Sequence, residues 1–213
     1  MVLVTNARFA GDFEEWAAAR SFRKPLRVLN DGSTANDNRL GAVNDIQYAL
    51  DEGGIADQDA YVVATDNLPR FDLRDTIALS RERSASAVFA CRVADRERLK
   101  RMGVAELDAE GRIVGFEEKP ERPKGGFRVP PFYVYPAGVT AAVSVYLAEG
   151  NNPDAPGHFL AWLVQRQKVY ALRRDEGTYE IGTLESYRAV CAEFERGDGA
   201  QAQGDSLDGR EPL

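Results

Sequence analysis

Short apolar runs alternate with segments of helical periodicity along the first 92 residues, and this alternation restricts the fold of the chain more than any other feature. Residues 2–5 form a β-branched run, and residues 9–16 then place their apolar side chains at helical spacing. The order repeats at 26–29 and 40–50, and a third apolar run follows at 61–64. Because parallel strands need long connections of one hand, this order predicts an α/β fold with a mostly parallel, doubly wound central sheet.

The pattern changes after residue 103, where strand-like segments at 103–107 and 112–117 flank the tetrapeptide Asp-Ala-Glu-Gly. A glycine in such a short turn favours a β-hairpin, so this portion is predicted to be antiparallel. Residues from 197 onward show no periodicity. We therefore expect one domain over 1–196 and a disordered tail over 197–213. Further elements are expected as a strand at 85–92, helices at 73–82, 139–148, 158–167 and 184–196, and strands at 132–135 and 169–172.

The chain carries a formal net charge of −7, from 27 Lys and Arg against 34 Asp and Glu. An acidic balance argues against nucleic acid or an anionic membrane surface as a partner. No apolar run is long enough to span a bilayer, and residues 1–5 lack the basic and apolar regions of a signal peptide. These features predict a cytoplasmic protein. Its oligomeric state stays open, a homo-oligomer included.

Residues that bind metals are sparse in this sequence. His158 is the only histidine, Cys91 falls in a strand-like run and Cys191 in a helical one. This distribution argues against a multi-histidine zinc site, a clustered thiolate site or a disulfide framework. A hard cation held by carboxylates is therefore the metal site that the composition favours.

The apolar run Tyr-Val-Val-Ala at 61–64 ends at Thr-Asp-Asn, which places Asp66 just beyond a predicted buried strand. In open α/β sheets ligands bind at the carboxyl ends of the strands, so Asp66 is the first candidate for chemistry. The alternative is ordinary turn formation, because Asp and Asn are common in turns. Near the other end of the chain, Phe159, Trp162 and Leu163 share one helical face and are predicted to be core.

Four stretches, taken together and in order, resemble the sugar-1-phosphate nucleotidyltransferases, similar to glucose-1-phosphate thymidylyl- and uridylyltransferases. They are Asn-Arg-Leu-Gly-Ala at 38–42, Val-Val-Ala-Thr-Asp-Asn at 62–67, the segments at 103–108 and 113–120 that end in Glu-Lys-Pro, and residues 179–187. The resemblance implies the Rossmann-like nucleotide-diphospho-sugar transferase fold, with an antiparallel sugar-side portion. It implies transfer of a nucleotidyl group from a nucleoside triphosphate to a sugar-1-phosphate, yielding a nucleotide sugar and pyrophosphate.

The resemblance also implies roles for individual residues. Asp66 and Glu180 are expected to hold Mg²⁺, and together with Lys119 they form the expected catalytic set. Glu118 is expected to bind sugar hydroxyls, and Lys119 the sugar phosphate. Two glycines complete the expected substrate contacts, with Gly103 beside the sugar and Gly41 beside the base.

Simpler interpretations accompany these assignments. A charged, proline-containing loop such as Glu-Lys-Pro is usually a solvated turn. Glu180 could be a surface residue that leads into a helix N-cap at Thr183. An ordinary α/β structural or interaction protein with coincidental motifs is the interpretation outside the family.

The family also has a first strand and a glycine-rich loop that holds the triphosphate, and this chain shows neither. We therefore expect a fragment of an enzyme. The alternative is a non-catalytic subunit of the same fold that binds a sugar phosphate or has a regulatory role.

Overall fold

The computed structural model of the protein describes residues 1–175 and 177–196, so the tail predicted over 197–213 lies outside the described residues. The strands are β1 (Val2–Thr5), β2 (Arg27–Asn30), β3 (Ala60–Val63), β4 (Asn67–Pro69), β5 (Ser86–Arg92), β6 (Gly103–Leu107), β7 (Ile113–Glu118), β8 (Phe127–Arg128), β9 (Phe132–Tyr135), β10 (Val169–Arg174) and β11 (Thr178–Glu180). The helices are α1 (Ala10–Ala18), α2 (Ala42–Glu52), α3 (Leu73–Arg83), α4 (Arg96–Leu99), α5 (Ala137–Thr140), α6 (Ala142–Ala148), α7 (Pro156–Val164) and α8 (Leu184–Glu195).

The described strands form three sheets. β1 and β2 pair in parallel, and β4 and β11 pair antiparallel. The largest sheet has seven strands in the order β3-β9-β5-β8-β6-β7, with β10 paired to β5 as well. The hairpin predicted from the turn at 108–111 is confirmed, because β6 and β7 are antiparallel neighbours.

The α/β class is confirmed, but neighbouring strands of the described seven-stranded sheet are mostly antiparallel, where the sequence pattern predicts mostly parallel ones. β3, β5, β6 and β10 run in one direction, as expected for strands that are joined by helices. Within the described part of this sheet, however, only β5 and β10 are direct parallel neighbours. The reason is that β9 inserts antiparallel between β3 and β5, and β8 inserts between β5 and β6.

The core lies between this sheet and the helices α6 and α7. Residues 87–90 of β5 are fully buried, and Phe159, Leu160 and Leu163 of α7 pack in the same cluster as Val88 and Ala90. The core prediction is confirmed for Phe159 and Leu163. Trp162 packs at the edge of this cluster, where its Nε1 donates a hydrogen bond to Glu149 at 2.7 Å.

Two findings concern membrane-spanning helices and the cysteines. In the part of the chain that the structure describes, no helix is long and apolar enough to cross a membrane. Cys91 and Cys191 are both free thiols.

Candidate active site

An open cleft of about 840 Å³ lies where β3 and β7 end and β6 begins. Gly41 is not one of its lining residues, although its neighbour Ala42 is. The cleft brings together the five other residues that the sequence analysis singled out, which are Asp66, Gly103, Glu118, Lys119 and Glu180.

The short antiparallel pair of β4 and β11 holds Asp66 next to Glu180. Asn67 lies opposite Glu180 in this pair, and the backbone N–H of Ile181 donates to the carbonyl oxygen of Asp66 at 2.7 Å. The Asp66 carboxylate accepts a hydrogen bond from Asn67 Nδ2 at 2.8 Å. The backbone thus brings two acidic residues from distant parts of the sequence to one end of the cleft.

The segment after β11 turns directly into α8. Thr183 is the N-cap of this helix, and it forms a reciprocal capping box with Ser186. The N-cap interpretation of Thr183 is therefore confirmed. Glu180, which precedes it, is nevertheless more than a residue leading into a cap, because its carboxylate has a buried partner.

That partner is Arg128 on β8, whose exposed fraction is 7%. Arg128 Nη2 forms an ion pair with the Glu180 carboxylate, and it donates to Thr178 Oγ1 at 3.0 Å and to Asn67 Oδ1 at 3.3 Å. Arginine is seldom buried without a paired charge. Glu180 is thus the counter-ion of a guanidinium group inside the protein, a contact that the sequence analysis missed.

The Glu118 carboxylate lies in a confined space between β6 and the start of α7. Glu118 pairs with Gly103 in the β6–β7 register, and Gly157, the second residue of α7, faces its carboxylate. A Cβ atom at Gly157 would lie 1.8 Å from Glu118 Oε2, so a larger residue would displace the carboxylate. Burial raises the pKa of Glu118, and the neighbouring Lys119 partly opposes that shift.

Lys119 adopts an unusual backbone conformation at the point where β7 ends. Its φ is 48°, in the left-handed region, and its N–H donates to the Met102 carbonyl at 3.0 Å. This conformation costs about 1 kcal/mol or more for a residue with a side chain, and such strain occurs often at functional sites. The Lys119 side chain is exposed on the cleft wall next to Glu118.

Gly41 meets a structural requirement of its own. Its φ is +91°, and a Cβ atom there would lie 2.7 Å from the carbonyl oxygen of Pro153. The N–H groups of Ala42 and Val43 donate to the carbonyls of Asp154 and Pro153 at 3.2 and 2.9 Å. This close approach docks the start of α2 against 153–154. A contact between Gly41 and a nucleobase stays a prediction.

One wall of the cleft carries basic side chains that the sequence analysis did not assign. Arg98 of α4 and the following Lys100 and Arg101 line the cleft, with Glu97 as an acidic neighbour. The sequence has four basic residues within 96–101, which could have indicated a basic surface. A short charged segment does not, however, show which way its side chains face. In a chain of net charge −7, this concentration of positive charge favours a phosphate-bearing ligand.

Asp66 and Glu180 are the carboxylates that could hold a divalent cation at this end of the cleft. Over 1–175 and 177–196, no three His, Cys, Asp or Glu side chains are grouped as metal ligands. Mg²⁺ needs only one or two protein carboxylates, because waters and substrate phosphates complete its octahedron. The exposed Asp66 fits this requirement, whereas Glu180 fits it only after leaving Arg128.

The fold is that of the nucleotidyltransferases. The chain belongs to the family described as Nucleotidyl transferase, whose family model matches residues 2–197. It is also similar in fold to a solved apo-UDP-glucose pyrophosphorylase, with a TM-score of 0.69, 16% identity, and coverage of 92% of this chain and 81% of that chain. The expected Rossmann-like nucleotide-diphospho-sugar transferase fold is confirmed.

Two relatives are similar over part of the sequence. A glucose-1-phosphate thymidylyltransferase of Actinoplanes sp. is 34% identical over 139 residues, covering 62% of this chain and 43% of that protein. A glucose-1-phosphate adenylyltransferase of Thermomicrobium roseum is 29% identical over 136 residues, covering 61% of this chain and 31% of that protein. Each match therefore spans less than half the length of the relative.

Proposed function

We propose that the protein transfers a nucleotidyl group from a nucleoside triphosphate to a sugar-1-phosphate, yielding a nucleotide sugar and pyrophosphate. The observation that supports this most is the single cleft shared by Asp66, Glu180, Glu118 and Lys119. The names of the two relatives make glucose-1-phosphate the first sugar phosphate to test. A cytoplasmic location is part of the proposal, because nucleoside triphosphates are among the substrates.

The sugar-1-phosphate is proposed to bind along the wall that contains Glu118 and Lys119. The Glu118 carboxylate accepts hydrogen bonds from sugar hydroxyls, and a half-buried position between Gly103 and Gly157 strengthens these bonds by limiting competition from water. The Lys119 ammonium pairs with the sugar phosphate. Its strained backbone is held by the hydrogen bond to Met102, which fixes where the side chain leaves the strand.

In the proposed reaction an oxygen of the sugar-1-phosphate attacks the α-phosphorus, and pyrophosphate leaves. Two anions must approach while charge builds on the phosphoryl oxygens, so positioning and fixed positive charge supply the acceleration. Lys119 and the basic wall at Arg98, Lys100 and Arg101 provide such charge. Mg²⁺ is the proposed cofactor, with Asp66 as its carboxylate ligand, and when bound it would neutralise phosphate charge.

Glu180 could add a second carboxylate ligand only if its ion pair with Arg128 opened. Its place opposite Asn67 puts it within the same short strand pair as Asp66. As long as that carboxylate is paired with Arg128, Asp66 is the one of the two acids that is proposed to hold Mg²⁺.

Pyrophosphate release tests the proposal. The protein is mixed with glucose-1-phosphate, Mg²⁺ and each of the common nucleoside triphosphates in turn, and pyrophosphate is measured by a coupled assay. We expect release that EDTA abolishes and that Lys119→Ala lowers by about 100-fold, since a charge that stabilises the phosphoryl oxygens is lost. Lys124→Ala is the matched control, because Lys124 is exposed in the same loop and its ammonium forms a surface ion pair with Glu117.

Two results would contradict the proposal or reduce it. If no nucleoside triphosphate yields pyrophosphate and calorimetry shows no binding of glucose-1-phosphate, the proposed substrate class is wrong. If glucose-1-phosphate binds, and Lys119→Ala abolishes binding, but no pyrophosphate is released, the chain is a non-catalytic binding subunit.

A further inference from the structure

The Arg128 guanidinium contacts both strands of the β4–β11 pair that holds Asp66 next to Glu180. Its Nη2 contacts Asn67, the residue after Asp66, and also Thr178 and Glu180 on β11. Asn67 and Thr178 are 111 residues apart in the sequence, so this one nitrogen links β4 to β11. A positive charge thus already lies beside the carboxylate that would otherwise be open to a cation.

Burial makes this ion pair hard to open. The Arg128 side chain is 8% exposed, whereas that of Glu180 is 45% exposed. If Glu180 left, the guanidinium would remain buried, and the hydrogen-bond partners that the described part of the chain gives it would be the neutral oxygens of Asn67 and Thr178. A buried charge that loses its counter-ion is strongly unfavourable, so a cation must compete with Arg128 for the same carboxylate.

We propose that the Arg128 guanidinium occupies the place of a cation beside Asp66 and Glu180, and prevents Glu180 from ligating a divalent metal ion. In the protein as it stands, Asp66 alone supplies the carboxylate for Mg²⁺ or Mn²⁺, and Glu180 anchors β11 to β8 through Arg128. Arg128 is thus a positioning residue that sets the metal affinity of the cleft. The inference rests on the cation proposed at Asp66, but it can be tested without turnover.

Titration with Mn²⁺, followed by electron paramagnetic resonance of the free ion, tests the competition directly. Arg128→Met removes the charge and keeps a long flexible side chain in the buried space. We expect Arg128→Met to bind Mn²⁺ at least about tenfold more tightly than the parent, because Glu180 then becomes available as a second ligand. The double variant Arg128→Met with Glu180→Gln should return to the parent affinity.

Glu180→Gln in the otherwise unchanged protein tests whether Glu180 ligates the metal while Arg128 is present. Because the Glu180 carboxylate is already paired with Arg128, this substitution should leave the Mn²⁺ affinity within about threefold of the parent. The loss of a true metal ligand would lower the affinity much more. A larger loss would show that Glu180 ligates the metal in the parent and would overturn the proposal. A folded Arg128→Met variant that binds Mn²⁺ no more tightly than the parent would overturn it as well.

Thermal unfolding in EDTA keeps the proposal testable if Arg128→Met fails to fold. Glu180→Gln should lower the Tm by about 3 °C or more without any metal, because it leaves the buried guanidinium without a counter-ion. Glu110→Gln, at an exposed position in the β6–β7 turn, is the control and should leave the Tm unchanged. An unchanged Tm for Glu180→Gln in EDTA would mean that the ion pair does not anchor β11, contrary to the proposal. None of these measurements depends on nucleotidyl transfer, so an inactive protein would leave their interpretation intact.

Discussion

Gly157→Ala should move the Glu118 carboxylate and leave the stability of the fold nearly unchanged. The added Cβ would lie 1.8 Å from Glu118 Oε2 and 2.7 Å from Glu118 Cδ, so the carboxylate must move. The displaced atoms are the end of a flexible side chain, and the backbone can stay in place. Alanine also favours helix over glycine by up to about 1 kcal/mol. We therefore expect the free energy of unfolding to change by no more than about 1 kcal/mol.

The same displacement should weaken sugar binding. Hydrogen bonds to a charged group contribute about 1.5–3 kcal/mol, which corresponds to a loss of roughly 10- to 150-fold in affinity. Calorimetry with glucose-1-phosphate measures this loss, and urea denaturation measures the stability. Gly11→Ala is a close control, because Gly11 is also the second residue of its helix and has no atom within 4 Å of an added Cβ.

Gly157→Ala that binds glucose-1-phosphate as tightly as Gly11→Ala does would contradict this prediction. That outcome would mean that the Glu118 carboxylate, in the position described here, does not contact the sugar. Binding that is lost together with several kcal/mol of stability would instead show that the carboxylate cannot move and that the helix start shifts.

Three further predictions concern the backbone and one half-buried acid. Lys119→Gly should raise the free energy of unfolding by about 1 kcal/mol in urea denaturation, because glycine relieves the strain at φ 48°, while binding of glucose-1-phosphate is lost; unchanged or lower stability would contradict this. Gly41→Ala should cost about 2 kcal/mol or more, since the new Cβ meets the Pro153 carbonyl at 2.7 Å and φ is +91°, and equal denaturation midpoints for variant and parent would refute it. Burial, together with the nearby Asp31 carboxylate, raises the pKa of Asp45 from 3.8 to about 6. This acid therefore favours folding fully below pH 3.8, and its contribution is lost as the pH rises through about 6. Asp45→Asn, which cannot ionise, should exceed the parent in stability by about 1 kcal/mol at pH 7 and lose that advantage near pH 4, given that Asp45 is only half-buried; an advantage that does not change between these two pH values would contradict the pKa shift.

The elements that were predictable from the sequence are those long enough to show a period. β5, α3, α8 and the β6–β7 hairpin all match their predicted spans closely, because five to twelve residues of apolar, alternating or helical pattern identify each strand or helix. The elements that were missed, β4, α4, β8 and β11, have two to four residues each. Three of these are strands whose existence depends on a partner far away in the sequence.

The residues of the candidate site likewise include some that a local motif predicts and some that depend on distant contacts. Asp66, Glu118 and Lys119 were accessible because each lies in or next to a recognisable local motif. Arg128 and Gly157 were not, because their importance comes from contacts across the fold: an ion pair with Glu180, and a close approach to Glu118. Such contacts follow from strand order and helix docking, which a single sequence does not show.

The most direct measurement follows the α-phosphate itself. A nucleoside triphosphate labelled at the α-phosphate is incubated with the protein, Mg²⁺ and glucose-1-phosphate, and the products are separated by chromatography. We expect the label to move into a nucleotide sugar in equal amount to the pyrophosphate released, and we expect Asp66→Asn to stop this transfer. Label that stays in the triphosphate, or appears only as a nucleoside monophosphate, would contradict nucleotidyl transfer to the sugar phosphate.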